Sequence, residues 1–224
     1  MTLAFSKVGI IGAGAMGRGI AQIAAQAGSQ VWLYDTQAEA IQKARDAVFQ
    51  QWDKLQEKGR LTAEVVAGHK SRLLGAASMQ DLADCELVVE AIVEKLDIKK
   101  SLFTELEKVL APSAVLVTNT SSLSVTAIAA ALQRPAQFAG YHFFNPVPLM
   151  KVVEVIAGLK TDPAVCQRLS DFAHQMGHTP VQAQDTPGFI VNHAGRGYST
   201  EALRIVSEGI ADFATIDRIL RDQV

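Results

Sequence analysis

Residues 7–17 have the sequence KVGIIGAGAMG, an apolar run that ends in a glycine-rich turn. The run Lys7–Ile11 predicts a short buried strand. Met16–Ala27 predicts the helix that follows, because its apolar residues recur on one face. Gly28 comes directly after that helix, where a left-handed C-cap is expected. A strand, a tight turn and a helix in this order are typical of the first unit of a parallel α/β sheet.

The turn fits the pattern G-x-G-x-x-G and consists of Gly12, Ala13, Gly14, Ala15, Met16 and Gly17. In such a turn the first glycine permits the bend, the second lets backbone amides approach a pyrophosphate, and the third lets helix and strand pack closely. Asp35 ends the next predicted strand, where a carboxylate accepts hydrogen bonds from a ribose hydroxyl and repels a 2′-phosphate. Thr36 and Gln37 offer no arginine to reverse that preference. The pattern therefore predicts a dinucleotide site that takes NAD rather than NADP.

Strand and helix patterns alternate outward from this turn. The alternation predicts an α/β fold with a Rossmann-like, doubly wound sheet. The further predicted strands are Val31–Tyr34, Leu87–Ala91, Val115–Thr118, Phe138–Phe144 and Val152–Ile156. The further predicted helices are Ala38–Lys58, Thr62–His69, Lys95–Leu110, Ser124–Leu132 and Asp162–Met176.

A different pattern begins at the DTPG segment, residues 185–188. Thr186 as N-cap and Pro187 at the first helical position predict a long helix to about Ser207, with a short helix around Thr215–Arg221 after it. So short a segment cannot close a core of its own. We therefore expect residues 1–185 to form an NAD-binding domain and residues 186–224 to begin an all-α domain. The long helix carries an apolar surface that needs a cover, made of Phe189, Ile190, Ala194, Tyr198, Ala202, Leu203 and Val206.

The composition excludes several classes of protein. With 49% hydrophobic and 20% charged residues the chain is neither disordered nor fibrous. A net charge of -2 leaves no broad basic field for nucleic acid or an anionic membrane. No apolar run approaches the roughly 20 residues that span a bilayer, and the residues before Val8 are too few for a signal peptide. Cys85 and Cys166 are too few for a disulfide framework or a zinc cluster. We expect a cytoplasmic protein without a bound metal.

A second group of polar residues lies toward the far side of the predicted sheet. Ser121 follows the strand Val115–Thr118 at its carboxyl end, where open α/β sheets bind ligands. His142 lies in the segment YHFFNP, and Glu154 lies in the apolar segment VVEVI. A histidine suits the removal of a hydroxyl proton, because the unperturbed imidazole has a pKa of ~6.5. Spacing alone leaves a core histidine open as an alternative, but an unpaired buried carboxylate at position 154 would be costly.

Five segments in this order, GAGAMG, VEAIVE, TNTSSL, HFFNPVPLMKVVEVI and DTPGFIVN, closely resemble the L-3-hydroxyacyl-CoA dehydrogenase family. The resemblance covers essentially the whole chain, and the HFFNP block followed by KVVEV is its most specific part. It implies NAD-dependent oxidation of an L-3-hydroxyacyl-CoA to the 3-ketoacyl-CoA, in fatty-acid or aromatic-acid degradation or in butanoate metabolism. It also implies a homodimer formed through the helical domain, which in family members continues past the segment 186–224.

The resemblance assigns roles to individual residues. His142 and Glu154 match the family's proton-transfer pair, and Ser121 matches its active-site serine. Asn192 matches the asparagine of the helical domain, which with Ser121 would hold the substrate oxygen. Beside the glycine turn, the implied cofactor contacts are Asp35, Glu94, Lys99, Ser121 and Asn145. Lys58, with Lys54 and Arg60 nearby, is a candidate for binding the phosphates of an acyl-CoA substrate.

Each of these positions has a simpler alternative. Ser121 could cap the following helix, and Asn192 could face solvent. Glu94, Lys99 and the basic residues of segment 54–60 could be ordinary surface charges. For the whole chain the alternatives are a dehydrogenase with a lysine or cysteine at the reacting carbon, and a non-catalytic NAD-binding or structural protein on the same scaffold. The residues do not decide between a short-chain and a dicarboxylic acyl group.

Overall fold

The computed structural model describes residues 2–223, so Met1 and Val224, the outer ends of the two predicted domains, lie outside the described residues. The strands β1 to β8 are Lys7–Ile11, Gln30–Tyr34, Leu73–Gly75, Leu87–Glu90, Val115–Thr118, Phe138–Phe143, Val152–Ala157 and Thr179–Gln184. The helices α1 to α8 are Ala15–Ala27, Ala38–Glu57, Ala63–Arg72, Leu96–Val109, Val125–Ala129, Pro163–Gln175, Val191–Ser207 and Phe213–Gln223.

All of the strands form one sheet in the order β3-β2-β1-β4-β5-β6-β7-β8. Strands β1 to β6 are parallel, β7 is antiparallel to β6, and β8 is parallel to β7. The chain order reverses between β1 and β4, which confirms the doubly wound sheet. The carboxyl ends of the parallel strands meet along one side of the sheet, here called the carboxyl edge.

Helices cover both faces of the sheet. Helices α1, α2 and α6 pack on one face, and α4 and α5 pack on the other, so the structure has two separate apolar cores. Because side chains alternate along a strand, the central strands are apolar on both sides. On β6, Phe138 belongs to the core under α4 and α5, whereas Tyr141 and Phe143 belong to the opposite core.

Local signals place several helix ends where the sequence predicts them. Gly28 has a φ of 111° and caps α1 in the left-handed conformation. The Thr62 hydroxyl accepts a hydrogen bond from Val65 N at 3.3 Å at the start of α3. The Asp162 carboxylate accepts one from Ala164 N at 2.8 Å at the start of α6. These three predicted caps are confirmed.

Two strands and one helix end differ from the prediction. Strand β3 has only 3 residues, too few for a period to be detected. Strand β8 contains Pro180 and pairs only with β7, as is typical of an edge strand, so its polar sequence does not resemble a buried strand. Helix α5 is shorter than the predicted Ser124–Leu132. Its last turn tightens, because Ala131 N and Leu132 N donate to carbonyls three residues back.

The predicted start of the long C-terminal helix is wrong. Gly188 and Phe189 have positive φ angles of 80° and 48°, and this left-handed pair interrupts the backbone after Pro187. The residues from Thr186 to Phe189 form a turn instead, closed by Phe189 N donating to Thr186 O at 3.0 Å. Helix α7 therefore begins only at Val191.

The segment after β8 exposes apolar side chains, as the sequence predicts. Phe189 and Ile216 are exceptions, because both side chains are buried. Exposed apolar side chains of this segment include Ile190, Tyr198, Leu203, Ile210 and Phe213. Within residues 2–223, the helices lack the length and apolarity that crossing a bilayer requires. The cytoplasmic location stays a prediction.

Candidate active site

The glycine turn lies at the carboxyl end of β1 and opens α1. A Cβ atom on Gly17 would lie 1.8 Å from Gly12 O, and one on Gly12 would lie 2.5 Å from Ala91 O. Gly12 also has a φ of 104°. A Cβ on Gly14, in contrast, would meet nothing within 4 Å. Gly12 and Gly17 thus allow the close packing of the turn. Gly14 leaves the N-terminus of α1 open to a ligand, as the binding of a pyrophosphate requires.

Asp35 follows β2 and closes the turn from the side. Its Oδ2 accepts a hydrogen bond from Ala13 N at 2.8 Å, and its Oδ1 accepts one from Gln37 N at 3.0 Å. Beside it lies a cavity of about 310 Å³, whose apolar lining includes Ile92, Ile98 and Leu102. A carboxylate next to an apolar slot fits the ribose and the base of a dinucleotide. The residues present therefore fit the predicted cofactor.

His142 and Glu154 are direct neighbours on β6 and β7. The antiparallel register places both side chains on the same face of the sheet, and the His142 Nδ1 atom lies 2.6 Å from Glu154 Oε2. The two residues are 5% and 0% exposed, respectively. A carboxylate can only accept, so Nδ1 carries the proton and Nε2 is left as the atom that can take one. The buried carboxylate thus has the partner that its burial demands.

The second oxygen of Glu154 holds the beginning of α7. Glu154 Oε1 accepts hydrogen bonds from Ile190 N at 2.8 Å and from Val191 N at 2.9 Å. The left-handed turn at Gly188 and Phe189 directs these two N–H groups toward the carboxylate, and the Phe189 ring lies 5.7 Å from the His142 ring. Hydrogen bonds to Glu154 therefore connect the irregular start of α7 directly to the histidine–carboxylate pair.

Ser121 lies in the loop that follows β5 at the carboxyl edge. Its N–H donates to Glu94 Oε1 at 3.0 Å, while its hydroxyl is not among the groups that Glu94 holds. The cap of α5 is Ser124, whose hydroxyl accepts a hydrogen bond from Ala127 N at 3.1 Å. Ser121 is therefore not the capping serine, which removes one alternative for this position.

Glu94 and Lys99 are not ordinary surface charges. The Lys99 ammonium is 1% exposed and lies 2.5 Å from Glu90 Oε1 and 3.2 Å from Glu94 Oε2. Partial burial acts to raise the pKa of Glu94, but the Thr120 hydroxyl, the Lys99 ammonium and the Ser121 N–H outweigh it and hold that pKa below its usual range. Glu90 and Glu94 both lie next to the Lys99 ammonium. The predicted contact of Lys99 with a cofactor stays a prediction.

The remaining predicted site residues are exposed. Asn145 follows β6 and precedes Pro146 across a cis peptide bond. Asn192 lies in the first turn of α7. Lys58 lies just past α2 and lines an open groove of about 400 Å³ together with Lys54 and Lys151. Arg60 is exposed and does not line that groove.

Two residues that the sequence analysis missed connect the parts of the site. Asn119 Oδ1 accepts a hydrogen bond from Phe143 N at 2.8 Å and so ties the end of β5 to the residue after His142. Asp185 accepts hydrogen bonds from the Ser124 hydroxyl at 2.8 Å, Val125 N at 2.9 Å and Thr126 N at 2.8 Å. An asparagine directly after a predicted strand was the available signal for the first. For Asp185 there was no local signal, because its partners lie far away in the chain.

Known proteins are similar to this chain in both sequence and fold. A family profile described as "3-hydroxyacyl-CoA dehydrogenase, NAD binding domain" matches residues 7–186, and "3-hydroxyacyl-CoA dehydrogenase, C-terminal domain" matches residues 188–224. The 3-hydroxyadipyl-CoA dehydrogenase of Escherichia coli is 44% identical over 99% of this chain and 47% of its own length. A probable 3-hydroxybutyryl-CoA dehydrogenase of Deinococcus radiodurans is 44% identical over 96% of this chain and 77% of its own length. The crystal structure of an Escherichia coli 3-hydroxybutyryl-CoA dehydrogenase has a TM-score of 0.93 at 44% identity, covering 97% of this chain and 46% of that one.

A glycine turn closed by an aspartate, at the start of a doubly wound sheet, is typical of the class of dinucleotide-binding proteins. Within that class, the chain belongs to the 3-hydroxyacyl-CoA dehydrogenase family. Residues 7–186 match the NAD-binding domain of the family. The chain spans about half the length of one curated relative and about three quarters of another.

Proposed function

We propose that the protein carrying this chain oxidises an L-3-hydroxyacyl-CoA to the 3-ketoacyl-CoA with NAD. The observation that carries the proposal is the 2.6 Å pair between His142 Nδ1 and Glu154 Oε2. The pair lies on the same sheet as the strand that precedes the glycine turn, and the family matched over residues 7–186 is described as a 3-hydroxyacyl-CoA dehydrogenase NAD-binding domain. Both facts support the proposal.

The chain's own residues supply the proton chemistry. His142 Nε2 takes the proton of the substrate hydroxyl, and Glu154 stabilises the imidazolium that results. The turn Gly12–Gly17 and Asp35 would hold NAD, which would supply the acceptor for the hydride of the substrate C3. The Ser121 hydroxyl and the Asn192 amide hold the substrate oxygen. Asp35, Asn145 and the turn Gly12–Gly17 bind the cofactor.

The open groove beside α2 is the proposed site for the phosphates of CoA. Lys54, Lys58 and Lys151 place three ammonium groups around it, and Gln22 and Gln26 of α1 add amide donors. Flexible lysines bind phosphates as point charges. Leu149, exposed at the rim of the groove, offers an apolar contact to the pantetheine arm.

The acyl group is the finer part of the proposal. One relative is named for a dicarboxylic acyl-CoA and another for a four-carbon acyl-CoA. The substrate proposed here is therefore the class of L-3-hydroxyacyl-CoA thioesters, and the acyl chain is left to a kinetic comparison.

The test is the reverse reaction. The purified protein is mixed with NADH and acetoacetyl-CoA, and the loss of NADH absorbance is followed. Turnover with the thioester and none with free acetoacetate is the expected result. Binding of NADH without turnover of any acyl-CoA would indicate a non-catalytic NAD-binding protein instead. Comparing chain lengths and ω-carboxyl variants in the same assay then identifies the acyl group.

We further propose that the protein forms a homodimer through its C-terminal helical segment, which begins with α7 at Val191. The exposed apolar side chains of α7 and α8, among them Tyr198, Leu203 and Phe213, support this assignment. Light scattering coupled to size-exclusion chromatography measures the mass directly. A monomer at micromolar concentration would contradict the proposal.

A further inference from the structure

Arg196 lies on α7, one turn after Asn192. Its side chain turns back toward the start of the helix, where its Nη2 atom donates a hydrogen bond to Pro187 O at 2.9 Å. A Cβ atom on Gly188 would lie 2.6 Å from that Nη2 atom and 3.5 Å from the Cβ atom of Asn192. The guanidinium therefore lies against the glycine of the left-handed turn, next to Asn192.

The turn in contact with the guanidinium is also the one that contacts the histidine–glutamate pair. The ring of Phe189, which follows Gly188 in this turn, lies 5.7 Å from the His142 ring. Glu154 Oε1 accepts hydrogen bonds from the next two N–H groups of the chain at 2.8 and 2.9 Å. Arg196 thus lies at the edge of the proposed active site, separated from the pair by a single turn of the backbone.

Within residues 2–223, Arg196 is an exposed cation without a carboxylate partner. Further along the same helix, in contrast, Arg204 Nε lies 2.8 Å from Glu208 Oε1. A guanidinium has N–H donors on each of its nitrogen atoms, but only Nη2 of Arg196 meets acceptors, Pro187 O and, at 3.5 Å, His193 Nδ1. The donors on Nε and Nη1 therefore have no acceptor in the described part of the chain and are open to a ligand.

The position of Arg196 indicates which anion it can bind. Guanidinium groups form strong, charge-assisted hydrogen bonds with carboxylates. The phosphates of CoA are assigned to the groove beside α2, which Lys54, Lys58 and Lys151 line. Asn192 is assigned to the oxygen on C3, so the substrate atoms nearest to Arg196 belong to the acyl chain. An anion at this position is therefore a carboxylate that the acyl chain itself carries.

We propose that Arg196 binds a carboxylate at the far end of the acyl chain, so that the preferred substrates are dicarboxylic 3-hydroxyacyl-CoA thioesters. The proposal rests on the proposed function and deepens it, because it adds a class of acyl group to that reaction. Asn192 and Arg196 then contact the two polar ends of the acyl group, the oxygen on C3 and the terminal carboxylate. An acyl chain that ends in a methyl group reaches the same catalytic residues but leaves the guanidinium without an anion.

The experiment compares two thioesters of equal chain length that differ only at the end of the acyl chain. The purified protein reduces, with NADH, either 3-ketoadipyl-CoA, which ends in a carboxylate, or 3-ketohexanoyl-CoA, which ends in a methyl group. We expect kcat/KM of the wild type to be about 10–100-fold higher for 3-ketoadipyl-CoA, the range of a hydrogen bond to a charged group.

Substitutions then assign the preference to one side chain. Arg196→Met should remove most of it, by raising KM for 3-ketoadipyl-CoA while kcat/KM for 3-ketohexanoyl-CoA stays within about twofold of wild type. Arg196→Lys should keep part of the preference, because it keeps the charge but not the planar group of donors. The matched control is Arg204→Met, which replaces an exposed arginine of the same helix and should keep the full preference.

Three results would overturn the proposal. Equal kcat/KM of the wild type for the two thioesters would do so without any variant. A preference that Arg196→Met retains would assign the carboxylate to another residue. Equal losses for both thioesters in Arg196→Met would show that Arg196 only supports the turn or binds the CoA part. A wild-type protein that binds NADH but reduces neither thioester would instead refute the proposed function, and the loss of both activities distinguishes this failure from the others.

Discussion

The glycine turn and the histidine–glutamate pair lie on one sheet, but the first consists of backbone groups and the second of ionisable side chains. The turn between β1 and α1 presents backbone and open space, with two glycines packed so tightly that a Cβ would collide with a carbonyl. The pair on β6 and β7 presents buried, ionisable side chains, and Glu154 also accepts hydrogen bonds from Ile190 N and Val191 N at the start of α7. The first region leaves open space beside its backbone, where the proposed cofactor binds, whereas the second consists of buried ionisable groups, to which we assign the proposed proton transfer.

This difference predicts how each region fails. The glycine turn should lose stability or cofactor binding when a side-chain atom is added, because its backbone leaves no space for that atom. The buried histidine–glutamate pair should lose activity or stability when one polar group is removed, because the other group is left buried without a hydrogen-bond partner. Substitutions in the two regions should therefore separate cofactor binding, turnover and stability.

The largest effect is expected from His142→Gln. Loss of the general base should lower kcat by ~10²–10⁴-fold, while the dissociation constant of NADH stays near that of the wild type. Steady-state kinetics and a fluorescence titration on the same preparation measure the two quantities. Near-normal turnover would show that His142 is not the general base. It would also contradict the assignment of proton transfer to the buried pair.

Lys99→Met tests the cost of an unpaired buried charge. The free energy of unfolding should fall by about 3–5 kcal/mol, because Glu90 would keep its charge without a cation. Urea denaturation measures it, and the exposed Lys95→Met should stay within about 0.5 kcal/mol of wild type. Adding Glu90→Gln to Lys99→Met should recover part of the loss. A Lys99→Met protein as stable as the control would show that the pair is not needed.

Gly17→Ala and Gly14→Ala test separately the packing of the glycine turn and its binding of the cofactor. The Cβ of Gly17→Ala would overlap Gly12 O, so its stability should fall by about 1–3 kcal/mol or more. The Cβ of Gly14→Ala meets no protein atom within 4 Å. That variant should therefore keep its Tm but bind NADH about tenfold more weakly, because the methyl group occupies the pyrophosphate approach. Equal behaviour of the two variants would contradict this division.

Asp185→Asn should have the smallest effect, and it depends on pH. Burial acts to raise the pKa of Asp185, but hydrogen bonds from Thr126, Ser124 and Val125 outweigh it and hold the pKa below its usual value. A carboxylate with a lowered folded-state pKa stabilises the protein above its unfolded value of about 3.9, and that stability is lost as the pH falls through the folded value. The variant should cost about 1 kcal/mol near neutral pH, as for loss of a cap. The difference from wild type should stay constant above about pH 5 and shrink as the pH falls below about 3.9, the unfolded value. A difference that grows toward acid pH would contradict the assignment.

The sequence alone was most informative where the signal is local. Strand β1, helix α1 and the caps at Gly28, Thr62 and Asp162 follow from neighbouring residues and were predicted. The family resemblance placed His142 and Glu154 in one site. Spacing could not have done so, because their contact depends on the register of two antiparallel strands.

Local sequence patterns do not predict features whose partners are distant along the chain. Strand β8 was missed because an edge strand with a proline lacks the apolar pattern of a buried one. The start of α7 was misplaced because Thr186 and Pro187 imitate a helix start. The left-handed turn at Gly188 and Phe189, with Glu154 accepting from the next two N–H groups, moves the start to Val191.

The sequence by itself determined the doubly wound fold, the dinucleotide turn and the family, because these depend on periodicity, glycine chemistry and short motifs. Only the tertiary structure decided that Lys99 is buried between two glutamates, that Asn119 and Asp185 join separate segments, and that Glu154 serves both His142 and α7. The physical reason is that a charge can be buried only where partners from several segments converge, and no local pattern records that convergence.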